Sequence, residues 1–423
     1  MTGLKPKLQS DIMDLKHASL KTSLTEAVRS LGCSRPETLA ALEKQNFPDR
    51  RQEEWKYSVP VFLSDAYRIA LARPHAAPVF PDPSVRGIRL VFSGGHYLPE
   101  AGSVQLPAGL EIVKHTGTSG ITPSEDNLFS TLNEATSSDF GITLQIKKNT
   151  VLDEPILLIH SASESLDWLQ PCIRVEAGEG SSACFAEIHS GGASTVTNLV
   201  NEILLEQGAQ LSWLSLEDGA KNSTLVNQTR VALQRDARFR HTVLSCSRGF
   251  VRNNLDVRIG GKGAHADLFG LSLGADNAHC DHHSFVHHSV ENSSSNQLYK
   301  GIFAGKSTGV FNGKILVDQI AQKTNAYQSG RNILLSADAR VYAKPQLEIF
   351  ADDVKCSHGA TIGQLDEEPL FYLRSRGLDL AGARLLLVKA FAGEILSEVE
   401  NDSLRSLAEE LVLVRLDELT KNP

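Results

Sequence analysis

Apolar residues recur at helical spacing between residues 10 and 70. One helix face would carry Leu24 and Val28, and Pro36 can open a second helix with Leu39 and Leu42 on its face. We therefore predict that the chain begins with paired helices.

An aromatic pair, Trp55 and Tyr57, follows among charged residues, and we predict that it anchors this segment against a neighbouring element rather than binding a ligand. The stretch 72–84 contains four prolines, which break helices and mark a linker. Residues 1–84 are thus predicted to form an N-terminal helical domain with a linker.

The pattern changes from about residue 87 to 350, where short runs of Val, Ile and Leu alternate with Gly, Asn, Asp and Ser. Strand–turn–strand units repeat there, with turn residues spaced by 28, 28 and 27 positions. A fixed period of this kind is the signature of a solenoid, in which stacked units share one core. The turn residues with these spacings are Gly180, Gly208, Asp236 and Gly263. We also interpret Asp338 as the turn of a later copy of the same unit.

A β-helix over residues 85–363 explains this period better than a β-sandwich, which predicts no constant spacing. No helical pattern of 10 to 15 residues separates the repeated strands, and this disfavours βαβ units. The predicted fold is therefore mainly β.

Helical patterns return in residues 364–423, the predicted C-terminal domain. Asp379 is a candidate N-cap of one helix, and Asp402 or Ser403 of the next. The apolar faces of these helices leave open whether this domain caps the solenoid or docks a partner. The apolar positions are Leu385, Val388, Ala392, Ile395 and Val399 in the first helix, and Leu404, Leu407, Leu411 and Val414 in the second.

Composition limits the possible functions. The formal net charge is −8 and no basic run occurs, which disfavours nucleic acid as a partner. The six cysteines lack paired spacing, as expected in a reducing compartment. Without a long apolar run or a targeting pattern at the N-terminus, the expected location is the cytoplasm.

Two glycine motifs resemble nucleotide-binding or hydrolase signatures but have the wrong context. The run 178–183 fits a dinucleotide fingerprint, and 305–309 fits both the end of a phosphate loop and a nucleophile elbow. Strand patterns follow both runs, whereas these motifs must open a helix. We therefore expect neither to bind nucleotide, and no serine hydrolase activity.

Five of the fourteen histidines lie in residues 279–288. On a strand, His282 and His288 would share one face with Cys280, while Asp281, His283 and His287 would share the other. A metal site is conceivable, but none of the tight zinc spacings occurs. A polar strand face is the favoured interpretation.

The stretch Lys344–Gly363, KPQLEIFADDVKCSHGATIG, begins with a strand pattern and places Cys356 and His358 two positions apart. In an extended backbone the thiol and the imidazole project from the same face. Together they suit zinc, copper or iron–sulfur species, but two ligands cannot complete a four-coordinate site. From spacing alone, a small buried Cys beside a surface His is the favoured alternative.

From about residue 256 onward the sequence resembles the SufB/SufD family of iron–sulfur cluster assembly proteins, and within it the SufD branch more than the SufB branch. The N-terminal run Glu54-Trp-Lys-Tyr57 resembles the family too, so the likeness covers nearly the whole chain. The other motifs that carry it are His279–His282, Gly309–Gly313, Lys344–Thr361 and Phe371–Gly377.

This resemblance implies a right-handed parallel β-helix flanked by helical domains, in a SufB–SufC–SufD complex. The chain would pair with SufB through the β-helix and bind the ABC-type ATPase SufC through its C-terminal helices. Its role would be that of a non-catalytic scaffold, with ATP bound by SufC. His358, with Cys356, would contribute to a transient iron–sulfur site at the SufB interface.

The resemblance assigns no residue to a flavin, which has been linked to such complexes, and it leaves open whether the isolated chain forms a homodimer. Two alternatives remain from the residues alone. One is a carbohydrate-active β-helix enzyme, which needs paired carboxylates along a groove; the adjacent Asp352 and Asp353 would face opposite ways on a strand. The other is a metal-binding protein that uses residues 279–288.

Overall fold

The computed structural model describes residues 6–31, 36–58, 67–69, 85–103, 105–115, 121, 127–161, 166–192 and 194–421. In the first helix, side chains are described from residue 16 onward. The predicted linker over 72–84 lies outside these residues.

Helices occur mainly at the two ends of the chain, as the apolar spacing predicts. The α-helices are α1 (Pro6–Leu31), α2 (Pro36–Lys44), α3 (Leu128–Phe140), α4 (Glu367–Ser375), α5 (Leu380–Leu396) and α6 (Asp402–Lys421), and short 3-10 helices span Glu53–Trp55 and Pro99–Ala101.

Strands fill the middle of the chain, and most are ten residues long. They are β1 (Arg68–Ile69), β2 (Ile88–Ser93), β3 (His96–Tyr97), β4 (Leu110–Lys114), β5 (Gly141–Ile146), β6 (Ile156–Ser161), β7 (Asp167–Leu169), β8 (Cys172–Ala177), β9 (Ser182–Gly191), β10 (Val196–Leu205), β11 (Gln210–Gly219), β12 (Thr224–Leu233), β13 (Arg238–Ser245), β14 (Phe250–Ile259), β15 (His265–Gly274), β16 (His279–His288), β17 (Ser294–Phe303), β18 (Thr308–Val317), β19 (Asn325–Leu334), β20 (Arg340–Ile349) and β21 (Lys355–Gly363).

These strands form a β-solenoid of about 7 turns, so the prediction of a mainly β solenoid with helices at both ends is confirmed. Successive strands alternate between two sheets, and each pairs in parallel with the equivalent strand of the next turn. The first sheet, which we call sheet A, runs β20-β18-β16-β14-β12-β10-β8-β5-β4 along its main path; the second, sheet B, runs β21-β19-β17-β15-β13-β11-β9-β6-β2-β3.

The predicted turn residues form one corner of the solenoid, where the chain passes from sheet A to sheet B. Gly180, Gly208, Asp236 and Gly263 all have positive φ, and Asn292 and Lys323 continue the series. This left-handed conformation suits Gly and is tolerated by Asn and Asp. The interpretation of Asp338 as a later copy is wrong, because it lies between β19 and β20 at the opposite corner. The two corners use similar turn residues, which a sequence comparison does not separate.

Each sheet has one face toward the solenoid interior and one toward the flanking helices. The interior core contains residues such as Leu158, Phe185 and Trp213. The outer face of sheet B packs against α5 and α6, whereas that of sheet A packs against α1–α3 and the N-terminal segment.

Three local expectations need correction. Helix α3 interrupts the β region at 128–140; it was not predicted, although Asn127 provides it with a capping box. In α6, Val414 is exposed and Val412 is buried instead. The backbone N–H of Leu404 donates to the Asn401 side chain, so that residue, rather than Asp402 or Ser403, caps α6. Asp379 caps α5 as predicted. No helix in the described part of the chain is both long and apolar enough to cross a bilayer.

Candidate functional site

The last turn of the solenoid ends on two adjacent strands, β20 and β21, the terminal strands of sheets A and B. Among the described residues no further strand pairs with either, so one backbone edge of each remains unpaired. Such edges are templates for association unless another element covers them.

Cys356 and His358 lie on β21 and face the solenoid interior. Their neighbours across the strand pair are Ala326 and Gln328, both buried, whereas Tyr327 between these two points outward and is exposed. The strand phase predicted a shared face for Cys356 and His358, and the register shows that this face is the inner one. The two side chains project about 6.6 Å apart along the strand at the open end of the interior.

The two side chains differ in environment. Cys356 is half-buried against the interior core, and this burial raises the pKa of its thiol, with a smaller opposing effect from a backbone hydrogen bond at Ala326. The neutral thiol therefore predominates at neutral pH. His358 is exposed, so its imidazole is accessible to a ligand or a partner.

Apolar side chains surround this open end. Ile349 and Phe350 are exposed at the end of β20, and Ile362 is exposed on β21. Exposed apolar side chains beside unpaired strands are typical of surfaces that another protein covers.

The N-terminal aromatic pair packs, as predicted. Trp55 is buried, stacks on Phe129 with ring centroids 5.6 Å apart, and has the Arg252 guanidinium 3.7 Å from its ring centroid. Tyr57 stacks on Tyr342 at 4.1 Å. This segment therefore attaches the N-terminal region to the outer face of sheet A as far as β20.

The histidines of residues 279–288 do not converge on one point. The predicted phase is correct, since Cys280, His282 and His288 are buried inside, but each ring has a separate polar partner. His282 contacts Ser245 and Ser272, and His287 contacts Asp318. Within the part of the chain that is described, these side chains form no three-ligand group.

The glycine motifs lie at solenoid corners, each followed by a strand, as predicted. Gly180 and Gly305 both have positive φ, and β9 and β18 follow them. The pair Asp352 and Asp353 lies in the turn before β21 rather than on a strand.

Sequence reasoning missed a different group inside the solenoid, formed by His160, Glu187 and His189. The sequence offered one signal, the two-residue spacing of Glu187 and His189 around Ile188 on β9, which predicts a shared strand face but does not reveal that His160 is adjacent.

Comparison with known proteins agrees with this architecture. Residues 159–391, more than half of the chain, match the family model described as "SUF system FeS cluster assembly, SufBD core domain". An iron–sulfur cluster assembly SufBD family protein of Synechocystis sp. is 32% identical over 396 residues, covering 87% of both chains. The iron–sulfur cluster assembly protein SufD of Escherichia coli is 29% identical over 379 residues, covering 87% of this chain and 89% of that protein.

The matched region contains most of the solenoid, including Cys356 and His358, together with α4 and much of α5. The family match and the relatives give the assignment, and the turn period and the two-sheet solenoid with helices at both ends agree with it. This chain belongs to the SufBD family of iron–sulfur cluster assembly proteins, and it is SufD-like within that family.

Proposed function

We propose that this chain is a non-catalytic scaffold subunit of a SufB–SufC–SufD complex, in which it pairs with SufB and binds the ATPase SufC. The observation that carries the proposal is the uncovered end of the solenoid, where Cys356 and His358 face inward between unpaired strands. ATP would be bound by SufC, since the glycine motifs of this chain lie at strand corners.

Pairing with SufB would occur at this open end. β20 and β21 offer unpaired backbone groups, and Ile349, Phe350 and Ile362 supply apolar contact. A second SufBD-type solenoid meeting this end would continue both sheets and cover the apolar side chains. The same surface would allow the isolated chain to form a homodimer when SufB is absent.

The cluster site would use ligands from both subunits. Cys356 and His358 give one soft sulfur and one imidazole, and SufB would supply the remaining ligands of a four-coordinate iron. Iron binding would displace the proton of the neutral Cys356 thiol, because the thiolate is the ligand form. The cluster is cargo here, held during assembly and passed on; no residue of this chain is assigned to a flavin.

Replacing His358 by Ala tests the site. We expect the complex with SufB and SufC to assemble normally, while cluster formation on the purified complex slows by about ten- to a hundredfold. Iron and sulfide content and the visible absorbance of the cluster are the measurements. Ser357→Ala is the matched control, because it lies beside His358 on β21 and faces outward. Full activity of the His358→Ala complex would refute this role.

SufC would dock on α4, the first helix after the solenoid. Phe371 is 75% exposed and its neighbour Tyr372 is also exposed, on a helix that carries only one buried residue. Phe371→Asp should abolish co-purification with SufC and leave pairing with SufB intact. Val414→Asp, at an exposed position of α6, is the control; equal retention of SufC by both variants would contradict docking on α4.

A further inference from the structure

Two adjacent strands of sheet B bring three potential metal ligands together inside the solenoid. His160 on β6 pairs in register with His189 on β9, and Glu187 precedes His189 by two positions. All three side chains point inward and are buried. They therefore form a compact group inside the solenoid, with the buried side chains of Asn201 and Glu217 beside it.

The three ligand atoms lie close together. His160 Nε2 is 3.1 Å from one carboxylate oxygen of Glu187, and His189 Nε2 is 3.7 Å from the other. The two rings stack with centroids 4.5 Å apart, and all three ligand atoms lie within 4.8 Å of one another. Ligands of a tetrahedral zinc ion lie about 3.4 Å apart, given bonds of 2.0–2.2 Å. Small side-chain rotations would reach that geometry.

One polar atom of this group has no hydrogen-bond partner. His189 Nε2 is buried and unsatisfied, since 3.7 Å from the carboxylate exceeds hydrogen-bond distance. Leaving such an atom without a partner is costly in a protein interior. A cation between the rings and the carboxylate would satisfy it.

The surroundings fit a metal ion. Asn201 Nδ2 donates to Glu187 at 2.8 Å and orients the carboxylate, as outer partners of metal ligands do. A cavity of about 30 Å³ borders the two histidines and also Glu217, which pairs with His189 in the next turn. The Glu217 Oε1 atom is buried without a partner. Glu217, or a water in this cavity, would supply a fourth ligand.

We propose that His160, Glu187 and His189 form a binding site for one divalent transition metal ion. Two imidazoles and one carboxylate are a borderline ligand set, which suits Zn²⁺, Fe²⁺ or Co²⁺ and disfavours Mg²⁺ and Ca²⁺.

This site is distinct from the pair on β21. Six strand spacings separate β9 from β21 in sheet B, a distance of about 29 Å along the solenoid. No thiol belongs to the group, and no partner subunit is needed to complete three of its ligands. The site therefore does not depend on the proposed role of Cys356 and His358.

Metal titration of the purified full-length chain tests the proposal. After treatment with a chelator, the chain should bind one equivalent of Co²⁺, followed by its visible absorbance, and Zn²⁺ should displace it. His160→Gln and His189→Gln should each weaken binding by at least about tenfold. His241→Gln is the matched control, because His241 is also buried in the interior without a hydrogen-bond partner. It should bind as the unchanged chain does.

Two further measurements separate this site from the proposed cluster site and identify its ligand atoms. The double variant Cys356→Ala, His358→Ala should retain the ion, which separates this site from the proposed cluster site. X-ray absorption of the unchanged chain loaded with Zn²⁺ should show imidazole and oxygen ligands without sulfur, and this needs no variant to fold. Absence of stoichiometric binding, a sulfur ligand, or equal affinity in a folded His189→Gln chain would overturn the proposal.

Discussion

Some of the buried histidines in the solenoid are accommodated by hydroxyl partners, and His282 and His288 are two of them. His288 is fully buried, and its two ring nitrogens contact the hydroxyls of Ser293 and Ser295 at 2.8 and 2.9 Å. A neutral imidazole has one donor and one acceptor nitrogen, and a serine hydroxyl can complement either. Burial, reinforced by His287 and His265, lowers the pKa of His288 to about 3.

This pKa predicts a specific pH dependence of stability. Well above pH 6.5 neither the folded nor the unfolded chain protonates residue 288, and the neutral ring contributes fully to the free energy of unfolding. Between about pH 6.5 and 3 the unfolded chain binds a proton that the folded chain does not, so the free energy of unfolding falls as the pH decreases.

Replacing His288 by Gln should remove this pH-dependent contribution to the free energy of unfolding. The difference in unfolding free energy between the original chain and His288→Gln should shrink by about 1.4 kcal/mol per pH unit between pH 6 and 4. Urea unfolding at a series of pH values measures it. The two curves should run parallel between pH 7 and 8; parallel curves at acid pH as well would show that residue 288 does not titrate as proposed.

At the scale of elements, α5 and α6 are part of the solenoid's packing. Val388, Ala392 and Ile395 of α5 and Leu404 of α6 join the apolar outer face of sheet B in one cluster. A chain ending near Gly363 would expose this face, so truncation cannot separate SufC docking from folding. The sequence patterns left open whether these helices cap the solenoid or dock a partner. Here they cover the side of one sheet, and α4 remains largely exposed.

This packing predicts that two leucines of α6 differ greatly in their contribution to the free energy of unfolding. Leu404 has 0% of its surface exposed and Leu413 has 36%. Leu404→Ala should lower the free energy of unfolding by about 2–5 kcal/mol through lost burial and a residual cavity. Leu413→Ala should cost about 0.5 kcal/mol or less. Equal effects in denaturant unfolding would contradict the assignment of the buried face.

At the scale of the whole molecule, the solenoid is closed along its sides and open at its C-terminal end. Helices cover the outer faces of both sheets, whereas β20 and β21 have free edges. Stacking one more turn would satisfy those backbone groups, as each turn does for the one before it. The open end is therefore the surface where association is expected.

A charge at this end should prevent association. Ile362, on β21, is 47% exposed, and Ile362→Lys should weaken both self-association of the isolated chain and pairing with SufB. Sedimentation equilibrium and co-purification measure the two. Val151→Lys is the control, since Val151 is 64% exposed and lies far from β21. If Ile362→Lys associates as the control does, the interface lies elsewhere.

The sequence by itself determined the period and the type of fold. Residues that tolerate positive φ recur every 27 or 28 positions from Gly180 to Gly263, and apolar residues alternate between them. These are local properties, because a turn conformation and a strand face depend on residues close in the chain. The shared face of Cys356 and His358 and the capping of α5 by Asp379 are local properties too.

The tertiary structure decided the features that depend on how the strands of neighbouring solenoid turns are aligned with one another. Turn lengths vary, since the positive-φ positions after Gly263 follow at intervals of 29 and 31 residues. A shift of one residue moves a side chain to the other face, so the pairing of His160 with His189 could not be inferred from spacing. Which helices cover which sheet, and which end stays open, likewise follow from packing between residues distant in the chain.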